Sequence, residues 1–172
     1  MRLNLACLML AAAIGMSPAG AGAQDWKKHS YPKDGFEVDF SGPVKVIPIE
    51  LDEKARAVVV QLTNYVQELD DEAQIVSVTL YRESKVPFDR VAKASFASFK
   101  CKDVSVNRPL ESASGPAREM SAAGCHDGTL GVQVRYYLAG ARFYQVIAVY
   151  KTQGDGGARA GHFLRSFTLI GN

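Results

Sequence analysis

Residues 129–150 read TLGVQVRYYLAGARFYQVIAVY. Val132, Val134, Tyr136 and Leu138 alternate with Gln133, Arg135 and Tyr137, the two-residue period of a strand with one apolar face. Ala139-Gly140-Ala141 supplies a turn, and residues 143–150 return as an almost continuous apolar run. A strand without polar alternation is one covered on both faces. The segment therefore predicts an antiparallel hairpin whose second strand is central in a sheet.

Toward the C-terminus, Gly154-Asp155-Gly156-Gly157 forms a loop, after which Ala160, Phe163, Leu164 and Phe167 recur at i, i+3, i+4 and i+7. That spacing predicts an amphipathic closing helix, with Asp155 placed to cap it. Toward the N-terminus, Gly115-Pro116 marks a turn, and residues 103–110 alternate only briefly, through Val104 and Val106, before Pro109. Further back, Phe88, Val91, Ala92, Ser95, Phe96 and Phe99 line one helical face, with Pro87 near the first turn and Asp89, Arg90, Lys93 and Lys100 opposite. Burial of its three phenylalanines at roughly 1.5–3 kcal/mol each is enough to hold such a helix on a sheet.

The first half of the chain reads as strands. Phe36, Val38 and Phe40 alternate with Glu37, Asp39 and Ser41, and Gly42-Pro43 turns the chain. Residues 44–49 suggest an edge strand, because Pro48 has no amide proton for a ladder. Two β-rich runs, 57–66 and 74–81, flank the acidic stretch 68–72, which reads as a solvated hairpin tip. Trp26, followed by Lys27, Lys28 and His29, reads either as a lid packed over the sheet or as an arm that contacts a partner.

The whole chain of 172 residues carries 20 Lys+Arg against 18 Asp+Glu and is 47% hydrophobic. Interspersed, nearly balanced charge gives no concentrated basic face, so nucleic acid is not an expected partner. Residues 1–23 have the form of a signal peptide: Arg2 in a short n-region, an apolar stretch from residue 5 to 16, and Ala21-Gly22-Ala23 as an A-x-A site. Cleavage is expected between Ala23 and Gln24, with a periplasmic or secreted destination, and no later segment is long and apolar enough to span a membrane. Cys7 leaves with the peptide, and Cys101 and Cys125 remain. An even pair in an exported chain favours a disulfide closing a loop of about 25 residues, with two buried free thiols as the alternative.

Four stretches carry a resemblance. YPKDGFEVDFSGP at 31–43 is similar to the opening G-F-x-V-x-F-P-G-x-P strand of the PsbP-like and Mog1-like group, with Ser41 in place of its Pro. Gly115-Pro116-Ala117-Arg118-Glu119, LAGARFYQVIAV at 138–149 and ARAGHFLRSFTL at 158–169 follow in the family's order, the last resembling the A-x-x-F-L-x-S-F ending of small exported bacterial members. The resemblance implies that residues 24–172 form one domain, an α+β fold built as an α/β/α sandwich with a central antiparallel sheet and two amphipathic packing helices. Its named relatives, a photosystem accessory subunit and a small GTPase-binding factor, are non-catalytic. A non-catalytic exported binding or accessory module, acting on an unknown protein partner or small ligand, is the function it implies.

Catalytic motifs give no contrary signal. No G-x-S-x-G elbow, P-loop or G-x-G-x-x-G is present, and His29, His126 and His162 each lack a second imidazole at ligand spacing. No metal or other cofactor is therefore expected. Cys125 beside His126 has the residue types of a nucleophile pair, but neighbours on a strand face opposite ways. The alternative reading is an exported enzyme with a dispersed site assembled from Arg118, Glu119, His126 and Asp127.

Overall fold

The computed structural model describes residues 25–171. The signal-peptide stretch and the Ala23/Gln24 cleavage point lie outside these residues. A seven-stranded antiparallel sheet dominates, made of β3 (Lys45–Pro48), β4 (Val59–Glu68), β5 (Glu72–Tyr81), β6 (Asp103–Leu110), β7 (Ala117–Cys125), β8 (Leu130–Ala139) and β9 (Arg142–Lys151). Its spatial order is β3-β4-β5-β9-β8-β7-β6. A second sheet has the order β1-β2-β10, from β1 (Lys27–Tyr31), β2 (Phe36–Phe40) and β10 (Thr168–Leu169). Among the described residues there are three helices: α1 (Glu53–Val58), α2 (Phe88–Ala97) and α3 (Gly156–Ser166).

The expected hairpin is present. Leu138 pairs with Phe143 across the Gly140-Ala141 turn, where Gly140 takes φ 59°. β9 lies between β5 and β8, and alternate residues serve two cores. Tyr144, Val146 and Ala148 join Phe36, Val38, Phe40, Phe163 and Leu164 on one face. Phe143 and Ile147 join Ala92, Phe96, Val132, Val134 and Tyr136 on the other. That division is why residues 143–150 carry apolar side chains in both registers.

The α/β/α sandwich is overturned. The described residues are 50% strand and 18% helix in two antiparallel sheets, so the molecule is mostly β. The layer over the first face is shared by α3 and the three-stranded sheet, in which β10 pairs with β2 through Thr168↔Glu37 and Leu169↔Phe36. Three elements account for the difference. β7 is a full strand although Ser121, Ala122, Ala123 and Gly124 show no large apolar alternation. β6 runs through Pro109 because it is an edge strand, where a missing amide proton costs no ladder bond. α1 replaces the start of the expected 57–66 strand; Asp52 caps it by accepting from the Ala55 amide at 2.7 Å.

Two smaller readings also change. Asp155 makes no side-chain cap on α3; its carboxylate pairs instead with Arg159. The acidic stretch 68–72 is not simply a solvated tip: the Glu72 side chain is fully buried and accepts from Arg159 Nε at 2.9 Å. Cys101 and Cys125 are joined by a disulfide with S–S 2.04 Å, tying the chain just after α2 to the end of β7.

Candidate functional site

Arg118 and Glu119 are neighbours on β7 and so face opposite sides of the sheet. Arg118 turns to the α2 side, donating to Asp89 at 2.7 Å and to the Asn107 side-chain oxygen at 2.7 Å. Glu119 turns to the α3 side, between Arg108 at 2.7 Å and Arg135 at 3.2 Å. Burial alone would raise the Glu119 carboxyl, but hydrogen bonds and charge from Arg108 and Arg135 outweigh it and hold the group below the usual carboxylate range. Arg135 also donates to the Leu164 carbonyl at 3.3 Å, near the last turn of α3.

His126 and Asp127 sit at the far end of β7, in the turn to β8, where His126 takes φ 59°. The Asp127 carboxylate accepts from the Thr129 hydroxyl at 2.6 Å and amide at 3.1 Å, and these bonds lower its titration. Eight residues of strand separate Arg118 from His126, a span of roughly 26 Å. The four groups of the dispersed-site reading are not brought together. Cys125 beside His126 is held in its disulfide, so it offers no thiolate.

A cleft of about 710 Å³ lies where α3 meets the β4–β5 turn and the start of β1. Trp26 is half-buried there, its ring 4.2 Å from that of His162, which also lies 3.2 Å from Asp39. The lid reading of Trp26 thus matches its contacts. Arg159 binds Asp71 at 2.7 Å, Glu72 at 2.9 Å, and Asp155. Burial works against the arginine's charge, and the hydrogen bonds and charges of Asp71 and Glu72 more than offset it, raising its titration further. The main charges of this cleft are thus committed to tying α3 to the hairpin tip. Among the described residues, no group of three or more His, Cys, Asp or Glu is arranged to hold a metal ion.

The opposite end of the large sheet is different in character. Val46, Ile47, Ile49, Val58 and Val60 are all exposed there, on β3, the chain into α1, the end of α1 and the start of β4. Among the described residues the remaining exposed large apolar side chain is Val104, on the other edge strand. The register Val46↔Tyr65 and Ile47↔Asn64 puts Val46 on the α3 side of the sheet and Ile47 on the α2 side. Both sides of the β3 edge are therefore uncovered.

Next to this edge are two hollows that share Arg82. One, of about 330 Å³, runs along Ile49, Leu51 and Val60. The other, of about 360 Å³, lies between α1 and the start of α2. Sequence reading missed this end because the residues that build it come from 46–60 and 81–91, two stretches whose meeting no local pattern announces. The one available signal was the pair of apolar side chains flanking Pro48, which an edge strand does not need. In comparisons with known proteins, no family model and no curated protein matches the chain.

Proposed function

We propose that this protein is a non-catalytic exported binding module that docks a protein partner along the β3 edge. The observation that carries the reading is the clustering of Val46, Ile47, Ile49, Val58 and Val60 at one end of the sheet. Contiguous exposed apolar surface rimmed by charge is the anatomy of a protein interface. Glu50, Glu53, Lys54 and Arg56 supply that rim here. An edge strand open on both sides also offers unpaired backbone groups to an added strand. The export part of the reading is supported by the n-region, apolar stretch and A-x-A site of residues 1–23, and by the Cys101–Cys125 disulfide. The resemblance to PsbP-like and Mog1-like proteins supports an accessory rather than a catalytic role.

Tagged wild-type protein and the double variant Val46→Asp/Ile47→Asp, purified from the native envelope after cross-linking, test the docking surface. A partner identified by mass should accompany the wild type and fall by at least about tenfold with the variant, while the variant's urea midpoint stays unchanged. Equal recovery with both proteins sinks the β3 edge as the docking surface. N-terminal sequencing of exported material should begin at Gln24; a retained Met1 would contradict export by this route.

A further inference from the structure

Beyond partner docking, we propose that the cleft between the end of α1 and the start of α2 binds a small amphipathic anion, a carboxylate bearing a single alkyl chain. Its volume of about 360 Å³ lies in the range of small-ligand pockets. The apolar part of its lining comes from Val58, Tyr81, Val86 and Val91, of which Tyr81, Val86 and Val91 are half-buried. Three exposed cations, Arg82, Lys85 and Arg90, line the same cleft with one acid, Glu83.

None of the three cations is neutralised: among the described residues no ion pair reaches Arg82, Lys85 or Arg90. The nearest acid on α2, Asp89, is held at 2.7 Å by Arg118. Arg82 is positioned by its own backbone contact, Nε donating to the Arg56 carbonyl at 2.8 Å, which leaves its terminal guanidinium nitrogens for a ligand. Pro87 stands at the N-cap of α2 and no side chain caps the helix, so the positive end of its dipole adds to the same field.

The two halves of the cleft select together. An inorganic anion would satisfy the cations but leave the valines in water, and a neutral alkyl chain would cover the valines but leave the positive charge unanswered. A carboxylate on an alkyl chain answers both. The carboxylate oxygens accept from Arg82 and Arg90, and the chain lies along Val58 and Val91.

The purified protein, titrated with decanoate, decanol, acetate and inorganic phosphate and followed by backbone amide shifts, tests the assignment. Decanoate should bind saturably with shifts concentrated at residues 56–58 and 81–91, and should weaken as salt is raised. Decanol should bind at least about tenfold more weakly, and acetate and phosphate should leave the spectrum unchanged at the same concentrations. Arg90→Gln should weaken decanoate about fivefold and leave decanol unchanged. Val58→Asp, at a position 57% exposed and so tolerant of the change, should weaken decanoate about tenfold. Equal binding of decanol and decanoate, shifts from phosphate or acetate matching those from decanoate, shifts centred elsewhere, or no saturable decanoate binding would each overturn the proposal. Because Arg90 lies outside the apolar cluster of the β3 edge, the Arg90→Gln result and the β3 docking test can fail separately.

Discussion

The two faces of the seven-stranded sheet are covered in different ways. The α3 face lies under α3 and the three-stranded sheet together, and Phe36, Val38, Phe40, Ala160 and Phe163 are all fully buried there. Aromatic rings interlock across this layer: Phe36 lies 5.0 Å from Tyr65 and 5.5 Å from Phe167, and Phe40 lies 5.3 Å from Phe163. The opposite face is covered by α2, which buries Ala92 and Phe96, and by the chain tied down through the disulfide. α2 packs over β8, toward one half of the sheet, and the β3 end extends past it with Ile47 and Ile49 exposed. Stability therefore concentrates on the doubly covered face, and the candidate binding surfaces lie where cover runs out.

Breaking the thick layer should have the largest effect. Phe163→Ala removes a fully buried ring at the centre of that face and should cost about 3–5 kcal/mol in urea unfolding. A loss under about 1 kcal/mol would show that the layer is not a tight core. Next comes the other face, where replacing Cys101 and Cys125 by serine opens a loop of sequence separation 24. In the chain-entropy model that costs about 3–4 kcal/mol, and an unchanged urea midpoint would mean the thin face does not depend on its covalent tie.

A smaller effect sharpens the comparison through pH. Glu119 titrates below the usual carboxylate range in the folded protein, so its stabilisation is complete above the titration of the unfolded carboxyl and is lost as pH falls through the folded value. The difference in stability between wild type and Glu119→Gln should be about 1 kcal/mol at neutral pH and should close in acid. A difference that widens in acid would reverse the assigned role of Arg108 and Arg135. The smallest effect belongs to the uncovered edge: Ile47→Asp should move stability by less than about 0.5 kcal/mol, because the side chain is already 40% exposed. A loss of several kcal/mol there would mean that β3 is core rather than surface.

Much of the strand content was legible because alternation is local. Residues 36–40, 74–81 and 129–150 announce strands through the side chains of consecutive residues; the first two lie in β2 and β5, and the third makes up the β8–β9 hairpin. The helix at Phe88–Ala97 and that at Gly156–Ser166 were equally readable from apolar residues at three- and four-residue spacing. β6 and β7 were faint because an edge strand and a strand of small residues need little large apolar alternation. The pairing of β10 with β2 joins residues about 130 positions apart, and nothing near Thr168 encodes its partner. The same holds for the Arg159 network and for the α1–α2 cleft, whose residues converge from separate stretches.

By itself the amino-acid sequence determined where the strongly periodic strands and the two longer helices lie, and that two cysteines outside the leader-like stretch were available to pair, because period and composition are properties of neighbours along the chain. Tertiary structure alone decided that a second sheet shares the cover over one face, that Arg118 and Glu119 part company, and that one edge is left bare beside unneutralised cations. Periodicity records which side chains seek shelter from water; only the packed arrangement determines which of them find it.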